Sequence, residues 1–198
     1  MHLPPSLGTA RLATTSPKRP TPTPQHGFTA IEVLITIAIL AVLSALAGPS
    51  FVPLIEKWRT RSSVEEMVST LYYARSEAIK RGGNIVIRKN PNTAGTCTLA
   101  GTAEDWGCGW NIFSDTNGNK TLDAGEELLK AIMPAIGVNV THKDGGAAIS
   151  LDRNGQMDGI NAKGFIISPV GSGISSKATR GICTSSGGRI KVIEDVPC

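Results

Sequence analysis

The most constraining feature of the sequence is a long apolar run that contains a single ionisable side chain. Between Phe28 and Ile55 only Glu32 can carry a charge. Residues 28–48 would extend about 31 Å as an α-helix, which is close to the hydrocarbon thickness of a bilayer. We therefore expect residues 28–48 to form a helix that resides in a membrane at some stage of the protein's life.

A carboxylate inside such a helix needs a partner, because a charge at that depth costs on the order of 3 kcal/mol. No Lys or Arg lies within the apolar run. Cleavage after Gly27 would create a new α-amino group on Phe28, either one helical turn from Glu32 or on a neighbouring subunit. We expect this amine to neutralise Glu32; the alternative is an ordinary transmembrane anchor in which the glutamate has no function.

The residues at this position resemble a known processing site. The stretch 27–32, Gly-Phe-Thr-Ala-Ile-Glu, is similar to the prepilin cleavage site of type IV pilins and type II secretion pseudopilins. The resemblance implies that prepilin peptidase cuts after Gly27 and that Phe28 is N-methylated. It also implies that Glu32 acts in assembly and that Pro49 kinks the helix.

Residues 1–27 form the predicted leader. This segment is rich in Pro, Ser and Thr, and its charged side chains are the basic residues Arg11, Lys18 and Arg19. The composition predicts a disordered, cytoplasmic leader. The formal net charge of +4 stems largely from this leader, so nucleic-acid binding has to be argued from local clusters. The rival interpretation is a secretory signal peptide, whose cleavage site would lie near Ala47.

Residues 49–81 continue the helix as an amphipathic half. Apolar residues recur there at the i, i+3 and i+4 spacing of a helix that packs on a sheet, and two glycines end the pattern at 82 and 83. We expect Tyr72 and Tyr73 to be packing residues. The predicted stripe consists of Val64, Met67, Val68, Leu71, Tyr72, Ala74, Arg75, Ala78 and Ile79.

The remaining residues, 82–198, predict a periplasmic, β-rich globular domain. Short runs of strand-forming residues alternate with Gly, Asn and Asp turns, and no long helical pattern interrupts them, which favours antiparallel pairing. The predicted fold class is α+β, and the resemblance implies the type IV pilin fold, a long N-terminal helix packed on small antiparallel β-sheets. The predicted strands are 84–89, 96–99, 110–114, 127–133, 138–142, 148–151, 164–168, 181–184 and 189–193.

Four cysteines lie in this domain. An even number of cysteines in a periplasmic domain indicates two disulfides. Loop closure favours the pairs Cys97–Cys108 and Cys183–Cys198, because each pair is close in sequence, although three connectivities are possible. A zinc site is the alternative, but the spacings differ from the short Cys-x-x-Cys of structural zinc sites.

Oxygen-bearing side chains recur in the stretch 115–126 with the ligand spacing of an EF-hand calcium loop. They are Asp115, Asn117, Asn119, Asp123 and Glu126. Because a lysine stands where such a loop requires Gly, we expect a solvated turn, with calcium as the alternative. Together with two preceding tryptophans, at 106 and 110, the loop resembles the GspH/FimT family of minor pilins and pseudopilins, in which a strand leads into a polar hairpin loop.

No residue pattern in the sequence indicates catalysis. Nucleophile elbows, phosphate-binding loops and histidine metal motifs are absent from it. The one histidine outside the leader is His142, which we expect at the surface, at the end of a strand. We therefore predict that the protein is not an enzyme and needs no cofactor, the calcium alternative excepted.

Basic residues near the C-terminus are the remaining candidates for contact with a partner. They are Lys177, Arg180, Arg189 and Lys191. The stretch 188–191, Gly-Arg-Ile-Lys, resembles the Gly-Arg-x-Arg motif of FimT-type minor pilins, which implies binding of double-stranded DNA in natural transformation. In a strand, Arg189 and Lys191 would lie on one face about 6.5 Å apart, near the spacing of successive phosphates. The alternative is a solvated or subunit-facing strand.

These features predict a minor pilin of a type IV pilus that acts by assembly. Its expected partners are other pilin or pseudopilin subunits, prepilin peptidase, the inner membrane before assembly, and double-stranded DNA. We expect one pass through the inner membrane, a periplasmic C-terminal domain, and later incorporation into the pilus. A minor pseudopilin of a type II secretion system is the alternative.

Overall fold

The computed structural model describes residues 27–47, 51–93, 96–158, 163–185 and 187–198. The predicted leader up to residue 26 and the predicted kink at Pro49 lie outside these residues. The chain divides into two compact units, one that ends at Ser44 and one from Ala45 to Cys198. We describe each unit by itself.

The first unit contains most of helix α1, Ala30–Ala47. This helix lies within the predicted segment 28–48, and its described side chains are exposed. Most of them are Ile, Leu, Val and Ala. Within the described ranges, no helix combines the length and the apolar character required to cross a membrane.

Helix α2, Val52–Arg81, opens the second unit. Pro53 lies in its first turn, where backbone N–H groups have no partner within the helix, so the N–H that proline lacks is not needed. The helix is capped at its C-terminus by Gly82, whose φ of 80° is left-handed. The N–H of Gly83 donates to the Ala78 carbonyl at 2.8 Å. Thus the two glycines end the helix, as predicted. Its buried residues are Thr60, Ser63, Val64, Met67, Thr70, Leu71, Ala74, Glu77 and Ala78.

The predicted stripe is too wide on one side. Tyr72 and Ile79 are exposed, so the expectation that Tyr72 packs in the core is wrong, whereas Tyr73 is partly buried against the core. Successive helical residues are about 100° apart, so Tyr72 and Ile79 lie one step beyond the buried Leu71 and Ala78. Among the described residues, the part of α2 that packs in the core cluster lies on the side of Leu71.

In the described residues, eight strands follow α2. They are β1 Ile85–Lys89, β2 Trp110–Ser114, β3 Leu128–Ile132, β4 Val138–Lys143, β5 Ala148–Leu151, β6 Lys163–Pro169, β7 Arg180–Thr184 and β8 Ile190–Ile193. They form two four-stranded sheets, ordered β3-β2-β1-β5 and β4-β6-β7-β8, and every pairing between neighbours is antiparallel. The α+β class and the antiparallel arrangement are therefore confirmed.

The predicted strand at 96–99 is wrong. This segment forms only an isolated bridge, in which Thr93 pairs with Cys97 across a tight turn. The predicted bond between Cys97 and Cys108 is present, with Cα atoms 5.6 Å apart. A short loop closed by a turn and a disulfide leaves no length for a ladder with a neighbouring strand.

The core lies where α2 crosses both sheets, and aromatic rings fill its centre. Trp106, Trp110 and Phe165 are fully buried. The indole N–H of Trp110 donates to the Thr70 hydroxyl at 3.0 Å, which joins α2 to the first sheet inside the core. The edge of Trp106 meets Phe165 of the second sheet, with ring centroids 5.4 Å apart.

The expectation that His142 lies at the surface is wrong. Its ring is fully buried, is stacked on Phe165 with centroids 4.5 Å apart, and meets Trp106 at 5.3 Å. The reason is the two-residue period of a strand, since Val138, Val140 and His142 occupy the inward positions of β4. The histidine is a core residue.

At the C-terminal end of α2, the Arg81 guanidinium holds two carboxylates. Its Nε donates to Glu77 at 2.6 Å, and its Nη1 donates to Glu127 at 2.5 Å. These hydrogen bonds hold the pKa of Glu77 and of Glu127 below the usual range. Because Glu127 directly precedes β3, Arg81 ties the end of the helix to the first sheet.

The Arg81 contacts predict a pH-dependent loss of stability. Both carboxyl pKa values are lower in the folded than in the unfolded chain, so the stabilisation is complete above the unfolded value of about 4.3 and is lost as pH falls through the folded values. The Arg81→Met variant should lose less stability on acidification than the wild type. The melting temperatures of the variant and the wild type should therefore converge below about pH 4. Thermal unfolding followed by circular dichroism across this range measures the difference.

Arg61→Met is the matched control, because Arg61 forms an exposed pair with Glu65 at 2.9 Å on the same helix. Such a pair contributes little to stability, so the control should follow the wild type. Parallel pH curves for Arg81→Met and the wild type would contradict the assignment.

Candidate functional site

Thr29 and Glu32 form a capping box at the start of α1. The Thr29 N–H and hydroxyl both donate to Glu32 Oε2, at 2.8 and 2.9 Å, and the Glu32 N–H lies 3.3 Å from the Thr29 hydroxyl oxygen. The carboxylate thus has hydrogen-bond partners within its own chain, at the helix end where the macrodipole favours negative charge. The pattern Thr-x-x-Glu by itself predicts this cap, in addition to the amine partner expected for Glu32.

Beyond this cap, the polar side chains described on α1 are Thr36 and Ser44, whose hydroxyls donate to backbone carbonyls of the same helix. Phe28, Glu32, Val33, Ile35 and Thr36 line a shallow groove on its first turns. All side chains described on the helix are exposed, and those of Ile, Leu and Val dominate every side. A helix that is apolar all round requires burial in a membrane or in an assembly.

Arg189 and Lys191 lie at the C-terminal edge of the second sheet. Lys191 belongs to β8, the edge strand, and Arg189 directly precedes it; both residues are exposed. Ile190 between them packs against the core, which sets the register of the strand. Residues two apart on a strand share a face, so the two cations point to the same side.

The turn before Arg189 is anchored by a helix residue. The Arg75 Nη1 atom donates to the Gly187 carbonyl at 2.8 Å. Gly188 has a φ of 82°, and a Cβ atom there would lie 1.4 Å from the same Arg75 nitrogen. The glycine of the stretch 188–191 is therefore favoured by its positive φ, and the Arg75 guanidinium occupies the space where a side chain would lie. This contact between α2 and the turn has no signal in the sequence.

The structure separates Arg180 from these two cations. Its Nη1 donates to the carbonyls of Lys177 and Thr179, at 2.8 and 2.7 Å, and its Nη2 lies 3.0 Å from Glu194. Arg180 shares the face of β7 with the buried Ile182, whereas Lys191 pairs with Cys183 on the other face. Lys177 is exposed in the connection between β6 and β7.

The C-terminal tail lies on the outer face of the second sheet. The Sγ atoms of Cys183 and Cys198 are joined, which is the pairing favoured by loop closure. A Cβ at Gly164 would lie 3.3 Å from the Cys198 sulfur, and a Cβ at Gly181 would lie 3.0 Å from Val196. These two glycines thus leave the space that the tail occupies.

The acidic loop after β2 satisfies its own polar groups. Asp115 accepts from the N–H groups of Gly118 and Lys120, and Asp123 accepts from the side-chain amides of Asn117 and Asn119. Hydrogen bonds from these two asparagines hold the pKa of Asp123 below its usual range.

Two further contacts close this loop. The Glu126 carboxylate accepts from the N–H groups of Thr116 and Asp123, at 2.7 and 3.1 Å. Lys120 has a φ of 59°, and its Nζ lies 2.5 Å from Asp158. Among the described residues, no group of three or more His, Cys, Asp or Glu side chains is placed to hold a metal ion. The loop is a polar hairpin connection between β2 and β3.

Comparisons with known proteins agree with this architecture. Residues 63–188 match the family described as Type II transport protein GspH, and residues 23–48 match the prokaryotic N-terminal methylation motif. Fimbrial protein Q of Moraxella bovis is 28% identical over 141 residues, which are 67% of this chain and 82% of that protein.

Two crystal structures of the type IV minor pilin FimU from Pseudomonas aeruginosa share the fold. Each superposes with a TM-score of 0.50 at 23% identity and covers 67% of this chain. The matched part is 91% of the chain in one crystal form and 87% in the other.

The helix on two antiparallel sheets and the N-terminal motif define a pilin-like filament subunit. The chain belongs to the GspH family, and it is a minor type IV pilin or pseudopilin of the GspH/FimT type. The family predicted from the sequence is thus confirmed. Its members are structural proteins, and the methylation motif is that of membrane-anchored pilus subunits.

The contact between Arg75 and the turn predicts a large difference between two neighbouring glycines. Gly188→Ala should lower the free energy of unfolding by about 1–3 kcal/mol, because the methyl group meets Arg75 and the residue must keep a positive φ. Chemical denaturation of the purified full chain measures this loss. Gly187→Ala is the control, since its Cβ would meet only the Ser185 hydroxyl at 3.9 Å, and it should be near neutral. Equal effects of the two substitutions would refute the special backbone requirement at Gly188.

Proposed function

We propose that this chain is a minor pilin of a type IV pilus, which enters or primes the filament after cleavage between Gly27 and Phe28. The observation that carries the proposal is α1, a helix exposed and apolar on every side with one carboxylate at its N-terminal end. A filament core of such helices would bury these surfaces. The name of one relative, a fimbrial protein, favours a pilus, whereas the description of the matched family is a type II transport protein.

The capping box fixes the orientation of the Glu32 carboxylate before assembly. The carboxylate is held by Thr29, one residue from the N-terminus that cleavage would create at Phe28. A methylated amine at Phe28, in the same subunit or a neighbouring one, would then meet a carboxylate that is already oriented. Neutralisation of the charge would allow α1 to leave the membrane for the filament core, since an unpaired charge is costly in both places.

The location follows from the same scheme. The leader, residues 1–27, stays in the cytoplasm and is removed by prepilin peptidase, while the β-rich domain stands in the periplasm. An oxidising periplasm suits the two disulfides of the domain. The chain is held by a single pass in the inner membrane until other pilin subunits take it up.

Binding of double-stranded DNA is a second candidate function. It is supported by Arg189 and Lys191, which are exposed on one face of an edge strand without acidic partners among the described ion pairs. Two cations at this spacing suit successive phosphates of a backbone. Arg180 is not part of this site, because its guanidinium is held by Glu194 and two carbonyls. Lys177 is exposed and could add a third contact.

The assembly proposal predicts a defined effect of Glu32→Gln. Glutamine can still form the capping box, but it cannot neutralise an amine. In a deletion strain complemented with this variant, membrane level and cleavage should match the wild type, while the amount in sheared pili and twitching should fall at least to about a tenth, as expected for loss of a charge pair.

Two controls separate the possible outcomes. Thr29→Val removes the cap but keeps the charge, and it should reduce incorporation less than Glu32→Gln does. Normal incorporation of Glu32→Gln would refute the charge-pair mechanism. If deletion of the gene stops protein secretion and leaves twitching intact, the filament is a type II pseudopilus and the pilus proposal fails.

The DNA proposal predicts weaker, less salt-dependent binding after loss of two charges. In gel-shift assays with duplex DNA, the double variant Arg189→Ala with Lys191→Ala should reduce the slope of log K against log salt by about 2, because two phosphate contacts are lost. Lys143→Ala with Arg153→Ala removes the same charge from exposed positions elsewhere and should keep most of the binding. No binding at low salt, or equal binding by both double variants, would reject this function.

A further inference from the structure

The start of α2 is unusually apolar for a helix on the surface of a domain. Phe51, Val52, Leu54, Ile55 and Trp58 are all exposed, and Trp58 is 74% exposed. Trp58 lies two residues before the buried Thr60, and a step of two residues turns a helix by about 200°. Trp58 therefore points away from the sheets, and the domain does not cover it.

Two loops of the domain contact α2 close to Trp58 in the sequence, at Glu56 and Arg59. The Ser172 hydroxyl donates to Glu56 at 2.5 Å, and a Cβ on Gly137 would lie 3.3 Å from the Arg59 guanidinium. The loops are joined to each other, since the Val170 N–H donates to the Gly137 carbonyl at 2.9 Å. They are the connections between β3 and β4 and between β6 and β7.

These loops also expose large apolar side chains. Ile136 is 87% exposed at the tip of one loop, and Val170 and Ile174 are exposed on the other. Trp58 lies on the side of α2 that faces away from these loops. We call Trp58, Ile136, Val170, Ile174, Lys57 and Arg59 the collar.

The collar carries positive charge that is not neutralised locally. In the described part of the chain, neither Lys57 nor Arg59 takes part in an ion pair. Glu65 pairs with Arg61 at 2.9 Å, while Glu56 accepts from Ser172 and keeps its negative charge, so Glu56, Lys57 and Arg59 together leave a net positive charge.

We propose that the collar binds the surface of an anionic bilayer, with Trp58 at the level of the lipid headgroups. Exposed apolar side chains beside two cations that take part in no described ion pair complement the apolar and anionic layers of such a lipid surface. Tryptophan, with a large apolar ring and one N–H donor, prefers this interface, and Lys and Arg are attracted to anionic headgroups. The proposal rests on the membrane-held stage of the proposed function, and it sets how close to the bilayer the domain stands.

The tryptophan content of the chain allows a direct test. Trp58 is exposed, while the two other tryptophans, Trp106 and Trp110, are fully buried. The full chain is reconstituted in phosphatidylcholine vesicles with and without phosphatidylglycerol, using lipids brominated high on the acyl chain. Bromolipids should quench the wild-type emission, and Trp58→Phe should abolish the quenching.

The contribution of charge is tested in the same vesicles. Phosphatidylglycerol should increase the quenching of the wild type, and Lys57→Ala with Arg59→Ala should remove about half or more of that increase. The control, Lys143→Ala with Arg153→Ala, alters exposed positions outside the collar and should behave as the wild type.

Three results would overturn the proposal. Emission of Trp58 that acrylamide quenches and bromolipid does not would place the collar in water. Quenching that is independent of phosphatidylglycerol would remove the role of Lys57 and Arg59. A disulfide between two copies carrying Ile136→Cys, with Trp58 shielded from both quenchers, would make the collar a subunit interface. Each result is independent of Glu32→Gln, so collar binding can fail while the pilus assembles normally.

Discussion

The packing of α2 across two separate sheets is the contact on which the rest of the domain depends. Each sheet is a small antiparallel ladder that could not bury its apolar face alone. The stripe that contains Met67, Leu71 and Ala74 covers both, and beneath it the Trp106 ring lies next to Trp110 of the first sheet and Phe165 of the second. Burial of each large apolar side chain at this interface contributes about 1.5–3 kcal/mol.

The same helix also positions the surfaces proposed to act in function. Arg75 anchors the turn that leads to Arg189, and Glu56 and Arg59 contact the loops of the collar. The positions of the turn before Arg189 and of the collar loops therefore depend on the position of α2 in the core. A change that rotates α2 would disturb the packing of the sheets, the edge strand β8 and the collar together, because interiors are packed too densely to adjust one element alone.

Much of the fold could be predicted from the sequence because the signals are local. Period-three-and-four spacing and a glycine stop defined α2, and turn residues separated most of the strands. The failures share a cause, which is the absence of the partner from a local window. Tyr72 belongs to an apolar stripe, but no sheet contacts its side of the helix, and His142 looks polar but stacks on Phe165 from another strand. The segment 96–99 has strand-like residues but is held as a loop.

By itself, the sequence determined the chemistry of the N-terminal segment. Gly27 is followed by an apolar run in which Glu32 is the single carboxylate, and this pattern is visible without knowledge of the fold. It also determined the family, through motifs that are contiguous in the chain. Only the tertiary structure decided which basic residues can act together. Arg180 and Lys191 are close in sequence, but the pleat of the sheet places them on opposite faces. Glu194 also forms an ion pair with Arg180. The reason is physical: composition sets which groups are available, whereas strand register and neighbouring charges set which of them remain exposed and unpaired.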